Sequence, residues 1–320
     1  LIGQPDRRSR LIRFSPQNQL HYRISFIMVQ PIAKCNRFGG RVMTTIDRPE
    51  IKSEAFGDPE NPALLLIMGA MASMLWWPEA FCRELADAGL YVIRYDNRDT
   101  GRSTKYPPGK PPYTFDDMAD DAVGVLDSHG IGKAHVAGMS MGGMIAQLVA
   151  LKHPSRVASL TVISSSPVGM DTSHLPQTAD AYIEHSAGGA DVDWSDRGQV
   201  IDFMVKDVSA IASTVHPFDE VRMRAFIEKD YDRSGGFLSA TNHFSLRGGD
   251  VWKGRLQEIA APLLVIHGTS DPIFPLEHGE ALAKTVDGAK LLRIAGGGHE
   301  LHPQDWPAIS AAIIAHIRSN

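Results

Sequence analysis

Residues 134–150, AHVAGMSMGGMIAQLVA, confine the fold more than any other stretch. An apolar strand must end and a helix begin within five residues, Gly138-Met139-Ser140-Met141-Gly142. So tight a corner forces its central residue into a strained backbone conformation, tolerable only when the neighbours lack bulk. Gly138 and Gly142, with Gly143 behind, remove the side chains that would clash. The Ser140 hydroxyl is then held out at the end of the strand, beside a helix N-terminus. The plainer alternative is a serine N-cap with glycines for close packing.

The rest of the chain supplies the setting. Short apolar runs alternate with helical patterns, the signature of a parallel sheet with crossover helices. ALLLIMG (63–69), LYVIRYD (90–96), KAHVAGM (133–139), VASLTVISSSP (157–167), APLLVIHG (261–268) and AKLLRIAG (289–296) read as strands. Helices are expected over 77–90, over 115–131 with acids in the first turn, after the serine corner, near 277–286 and near 305–318. Between Pro167 and Asp250 the rhythm stops, and VDWSDRGQVIDFMVKDV and DEVRMRAFIEKDY have helical spacing without strand partners. The expected organisation is a core over 43–166, a helical cap over 167–250 and a second core part over 251–320. Such a cap would cover the C-terminal edge of the sheet, where open α/β sheets bind their ligands, and would exclude water there.

Composition removes several classes of function. The net charge is −5, and the body of the chain carries no long basic stripe, which argues against nucleic acid as a partner. Cys35 and Cys82 have no neighbours at metal-ligand spacing, so neither a disulfide framework nor a structural zinc site is expected. No apolar run approaches the roughly 18 residues that span a bilayer, and a cytoplasmic setting is expected. Residues 1–42 differ from the rest: eight Lys/Arg against one acid make them +7, leaving −12 for residues 43–320. Two readings stand for this extension. It is a targeting or disordered arm, or it is upstream sequence with Met43 as the start; the second is favoured, and neither gives the arm a part in the chemistry.

A serine hydroxyl is a poor nucleophile at neutral pH and needs a base, which in turn needs an orienting acid. His299, in RIAGGGHELHP, follows a predicted strand in a glycine-rich loop and is the expected base. His302 is its rival and reads as a solvated or packing residue. His267 sits at a strand end and reads as structural, as do His129, His135 and His153; His243 lies in the cap, where packing is favoured over substrate contact. Asp271, in HGTSDPIFP, is the expected acid, with Asp171 as rival. Asp96, Arg98, Asp99 and Arg102 crowd one loop and are expected to pair with each other and pin it. The attacked carbonyl becomes an oxyanion and needs preorganised donors. By position these are the N–H groups of Met141 and of Ala70, with Met71 as the alternative to Ala70.

LLIMGAMASMLWWPEAF, RYDNRDTGRST, AGMSMGGMIAQ, VIHGTSDPIFP and GGGHEL together resemble the α/β-hydrolase fold superfamily. Within it they are most similar to carboxylic ester hydrolases of the aclacinomycin methylesterase type. The resemblance covers roughly residues 50–165 and 245–318 and weakens in the cap. It implies a mostly parallel eight-stranded sheet, a helical cap before the last two strands, a Ser140–His299–Asp271 triad in the chain order Ser, Asp, His, and no cofactor or metal. Met68-Gly69 stands where many relatives have His-Gly, so comparison with those members is unsafe.

The leading expectation is therefore hydrolysis of a carboxylic ester, a methyl ester among the options, through an acyl-enzyme. C–C bond hydrolases, lactonases and cofactor-free perhydrolases share the same triad. A non-catalytic small-molecule receptor on the same fold is the third reading. The expected partner is a small, partly hydrophobic ester of medium size. Its pocket is expected to draw on Met71, Trp77, Trp194 and Phe244, with Trp76, Phe203 and Phe218 as further aromatics.

Overall fold

The computed structural model of the chain describes residues 49–320. The basic extension expected at 1–42 lies outside the described residues, as does Met43. Seven strands form one sheet: β1 (Ser53–Phe56), β2 (Ala63–Ile67), β3 (Tyr91–Tyr95), β4 (Ala134–Met139), β5 (Val157–Ile163), β6 (Leu263–Gly268) and β7 (Lys290–Ile294). Their spatial order is β1-β3-β2-β4-β5-β6-β7. β1 runs antiparallel to β3, and every other pairing is parallel.

Eight strands were implied, and among the described residues there are seven. The described segment ahead of β1, residues 49–52, is a loop. Glu50 N–H donates to Thr104 Oγ1, Glu50 C=O accepts from Thr104 N–H, and Lys52 N–H donates to Ser103 Oγ. Its polar groups are thereby tied to the 96–104 turn rather than to another strand, as backbone groups must be paired somewhere.

β2 and β4 are buried at every residue because helices cover both faces of the sheet, which is why they read as unbroken apolar runs. Alternation still operates within them. Leu65 and Ile67 pack into one core cluster with Met118, Leu126 and Ile145, while Leu64 and Leu66 pack into the opposite one with Phe81 and Ile313. Helices α1 (Glu79–Asp87) and α8 (Trp306–Arg318) serve the second cluster; α2 (Phe115–Ser128), α3 (Met141–Lys152) and α7 (Leu276–Thr285) serve the first. Thr114 starts α2 with a capping box: its hydroxyl accepts from Asp117 N–H while the Asp117 carboxylate accepts from Thr114 N–H. α3 is buried continuously from Met141 to Leu151 and is sealed on all sides.

Between β5 and β6 no strand occurs among the described residues. The segment folds as α4 (Asp180–Ala187), α5 (Arg197–Ala210) and α6 (Glu220–Ser234), with a 3-10 segment at Ser239–Ser245. Asp196 and Asp219 cap α5 and α6 by accepting from Gln199 and Arg222 N–H, and Gly235, at φ 65°, closes α6. This segment has an apolar cluster of its own, in which Val200, Ile201, Val205 and Ile227 are fully or nearly fully buried. No helix among the described residues is long and apolar enough to cross a membrane.

The connectivity places the site. From β2 the chain moves to one side to form β3, then returns to the other side to form β4. The loops leaving β2 and β4 therefore diverge from adjacent strands, at the kind of switch point where open α/β sheets carry a crevice.

Candidate active site

Ser140 stands at the end of β4 with φ 55° and ψ −125°, a left-handed, strained conformation for a residue with a Cβ. The reason for its glycines is now metric. A Cβ on Gly138 would lie 2.1 Å from Gly142 O, and one on Gly142 would lie 2.2 Å from Ile67 O. One on Gly143 would lie 2.7 Å from Ser165 Cβ. Strand, corner and helix thus touch backbone to backbone. Ser140 N–H donates to Ile163 O at 2.9 Å, and its own C=O accepts from Ser165 Oγ at 2.7 Å and Gly143 N–H at 2.9 Å. The serine is not a side-chain cap: its hydroxyl makes no capping bond to α3. It is left partly exposed on the wall of a cleft.

His299 opens on the same cleft. Its loop is held by a bond from His299 N–H to Ile211 O at 2.8 Å and by the glycines before it. Asp271, at the turn after β6, is buried behind the ring. Its Oδ2 lies 2.7 Å from His299 Nδ1, and its Oδ1 accepts from the N–H groups of Ile273 and Phe274, both at 2.9 Å. Burial alone would raise the Asp271 carboxyl; the charge and hydrogen bond of His299, the more distant His267 and the Phe274 N–H together hold it below its ordinary value. A carboxylate so fixed orients the imidazole with a proton on Nδ1, which leaves Nε2 as the free acceptor. Phe274 packs edge-on to the ring at 5.8 Å.

The rivals have other occupations. Asp171 is exposed and accepts from Ser173 N–H. The His302 ring stacks on that of His216 at 4.3 Å, and His216 Nε2 lies 3.0 Å from Asp305 Oδ1. These three could be taken for metal ligands. The two rings are within 15° of parallel, however, so their nitrogen lone pairs lie in separate planes and do not converge on one ion. They form a clasp between the helical segment and the second core part. His267 is fully buried, with Nε2 donating to Phe274 O at 2.7 Å, and is structural as expected.

The loop after β3 is pinned, but by different partners from those expected. Asp96 accepts from the N–H groups of Met74 and Arg102, and its ion pair is with Arg233 of α6 at 2.8 Å. Arg98 pairs with Asp121 of α2, and Asp99 accepts from Tyr113 OH and from Asn242 Nδ2. Pairing within the loop gives way because the buried carboxylates find better-oriented donors on neighbouring elements. Gly101 is required here: a Cβ on it would sit 2.1 Å from the Asp96 carboxyl carbon.

The β2 loop lies directly over the serine, with a Cβ built on Gly69 reaching to 3.0 Å from Ser140 Cβ. In this turn Met71 adopts φ 61° and its N–H donates to His243 Nδ1 at 3.0 Å. Met141 N–H begins α3, where the first N–H groups have no partner within the helix.

The cleft itself is large, about 1970 Å³, and lined mostly by apolar side chains from both core and helical segment. Met71 and Phe244 line it. Trp77 and Trp194 do not, which corrects the expectation for both. Trp77 is fully buried and stacks on Phe81 behind the β2 loop. Trp194 is turned into the helical segment, where its Nε1 donates to Gly189 O and its ring packs edge-on to Phe203. Trp76 faces the cleft in place of its neighbour. Further methionines absent from the expected lining, among them Met68, Met139, Met144 and Met204, also face it. Three of these flank the glycine-serine corners in sequence, and that proximity was the available signal.

Comparison with known proteins agrees with this geometry. Residues 62–305 match the alpha/beta hydrolase fold family. The chain is 34% identical over 299 residues to the rhodomycin D methylesterase DauP of Streptomyces sp. (strain C5), and 33% identical over 294 residues to DnrP, of the same description, from Streptomyces peucetius. Each alignment covers 87% of this chain and 98% of the relative. Among solved structures, a hydrolase from Pseudomonas aeruginosa PA01 superposes with a TM-score of 0.62 at 25% identity, covering 83% of this chain and 94% of that one. From sequence, topology and site together, the chain belongs to the alpha/beta hydrolase fold family.

Proposed function

We propose that the chain is a carboxylic ester hydrolase that works through an acyl-enzyme formed on Ser140. The observation that carries this reading is the strained Ser140 sharing one cleft with a His299 imidazole fixed by the buried Asp271 at 2.7 Å. Ser140 Oγ attacks the ester carbonyl while His299 Nε2 takes its proton. The tetrahedral oxyanion is received by the N–H groups of Met141 and Ala70, since Met71 N–H is engaged by His243. The alkoxide leaves with the proton from His299. Water then repeats the sequence on the acyl-enzyme, and Asp271 stabilises the imidazolium formed in each half.

The similarity to methylesterases supports a methyl ester as the bond cleaved. In such a substrate the leaving alcohol is minimal and nearly all contact area lies on the acyl side. A cleft of about 1970 Å³ exceeds the roughly 300–1000 Å³ of ordinary ligand sites. It therefore takes a medium-sized ester with room for a larger, mainly apolar acyl group. The helical segment acts as the cap over this group, and a cytoplasmic setting remains part of the reading.

The test is turnover of a short-chain p-nitrophenyl ester and of a bulky methyl ester by wild type and Ser140→Ala, with a fluorophosphonate label on both. Turnover and labelling at Ser140 in wild type alone are the expected result. A folded wild type that neither labels nor turns over would overturn the reading in favour of a small-molecule receptor.

A further inference from the structure

His243 is a buried titratable group to which the hydrolytic sequence gives no task. It sits in the 3-10 segment Ser239–Ser245, 4% exposed, and its ring bridges two loops of the sheet domain. Its Nδ1 faces Met71 N–H at 3.0 Å, and its Nε2 faces Arg98 C=O at 2.7 Å. A backbone N–H only donates and a carbonyl only accepts, so the ring accepts at Nδ1 and carries its proton on Nε2. Burial disfavours the charged ring and outweighs the Arg98 carbonyl and the Asp99 charge, the groups that act against it. A ring protonated at both nitrogens would have nothing to offer Met71.

Met71 needs such a hold. It is one of four described non-glycine residues at positive φ, at 61°, a conformation that side-chain-bearing residues adopt at a cost. It follows Ala70 and Gly69 in the turn that lies over Ser140. The same turn is tied at its ends to the β3 loop, by Asn97 Nδ2 to Met68 O at 2.9 Å and by Met74 N–H to Asp96 Oδ1 at 2.8 Å. Its middle is tied to the helical segment, through His243. Asn242, the preceding residue, anchors that segment by donating to Asp99 Oδ2 at 3.0 Å and accepting from Gly109 N–H at 2.7 Å.

We propose that His243 is a positioning residue for the oxyanion hole: its bond to Met71 keeps the turn in the left-handed conformation that presents Ala70 N–H to the carbonyl over Ser140. One of the two donors is then set by the cap rather than by the sheet domain, and the hole is complete only while residues 239–245 are seated. The kinetic consequence rests on the ester-hydrolase reading; the contact does not.

The experiment compares wild type, His243→Leu and His243→Gln in steady-state turnover of a p-nitrophenyl ester and in the rate of fluorophosphonate labelling. Glutamine offers an amide oxygen to Met71 and an N–H to Arg98. Loss of one oxyanion donor costs about 100- to 1000-fold in kcat, so misalignment of one is expected to cost about tenfold or more, with KM within about twofold. The glutamine variant should recover most of the loss. In a Met71→Gly background the loss on His243→Leu should shrink, because glycine holds φ 61° without strain. Independently of any turnover, 15N-labelled wild type should show a scalar coupling across the hydrogen bond from Met71 N to His243 Nδ1. Coupling without ester turnover would sink the ester reading and leave the contact standing. Absence of that coupling, a folded leucine variant with unchanged kcat, or an equal loss with Met71→Gly would each overturn the proposal, and the coupling and the glutamine variant decide it if the leucine variant does not fold.

Discussion

The corner at Ser140 and the helical segment above it are held by opposite means. The corner is held by absence: Gly138 and Gly142 let β4, α3 and the end of β2 meet backbone to backbone with no room for a Cβ, and Gly143 makes room for the Ser165 side chain. The helical segment is held by presence, through polar fastenings and through apolar contacts such as Trp76 against Phe226. Arg233 reaches Asp96, Asp230 accepts from Ser73 Oγ at 2.6 Å and Trp76 Nε1 at 3.0 Å, and His216 meets Asp305. A steric arrangement has one solution, because interpenetration rises steeply with small displacements. A polar fastening can lengthen, exchange partners or be bridged by water. On the proposed reading, the chemistry sits where steric contact leaves least freedom and substrate choice where polar contacts can rearrange.

That contrast can be broken from either side. The largest expected effect is on chemistry: Asp271→Asn should lower kcat about 10⁴-fold, as loss of the orienting carboxylate does in triads, with KM little changed. The same variant tests a pH dependence. The folded carboxyl titrates below its unfolded value, so it adds stability above the unfolded pKa, near ~3.9, and loses it as pH falls through the folded one. Thermal melts below about pH 4 should therefore fall less steeply in the asparagine variant than in wild type. Next comes Gly142→Ala, whose methyl would lie 2.2 Å from Ile67 O; a loss of about 4 kcal/mol or more, read by denaturant melts, is expected, with little folded protein recovered. Mild destabilisation would mean that the corner has slack and that the contrast is overstated.

On the other side, Arg233→Leu leaves the buried Asp96 carboxylate without its ion pair. It should cost about 3 kcal/mol in chemical denaturation and raise KM for bulky esters more than for short ones. An equal fall in kcat for both would show that this fastening serves catalysis rather than shape. The smallest effect is expected at His216→Ala, where a partly exposed clasp is worth under about 1 kcal/mol. Calorimetry of wild type and variant at a single pH would read the difference.

What could be read in the sequence follows the same division. The Ser140 corner, the Asp271 turn and the His299 loop are each announced within a few residues by glycine, proline and strand-end patterns, because local backbone geometry demands those residue types. The absence of strands between β5 and β6 was legible for the same reason. The facing of Trp76 and Trp77 was not. Both are apolar and adjacent, and only the rotation of the short turn Met74–Trp76 decides which looks into the cleft. Trp194 could not be placed because the helical segment has its own core to fill, and an aromatic suits either destination. Nor could Arg233 be matched to Asp96 or His243 to Met71, since partners 137 and 172 residues apart leave no local trace.

The methionines around the serine have a consequence for how the enzyme can change. Met68, Met139, Met141 and Met144 form upholstery rather than masonry: unbranched thioether chains that shift rotamer to follow whatever lies against them. A wall of valine and isoleucine would reject a misfitting acyl group abruptly, whereas this one yields by degrees. Across a graded series of esters of increasing bulk, kcat/KM should accordingly decline as a slope, and a sharp step at one size would show the upholstery to be rigid. On the proposed reading, a lineage with such a lining can reach new substrates by drift in the helical segment alone, while the Ser140 corner stays untouched.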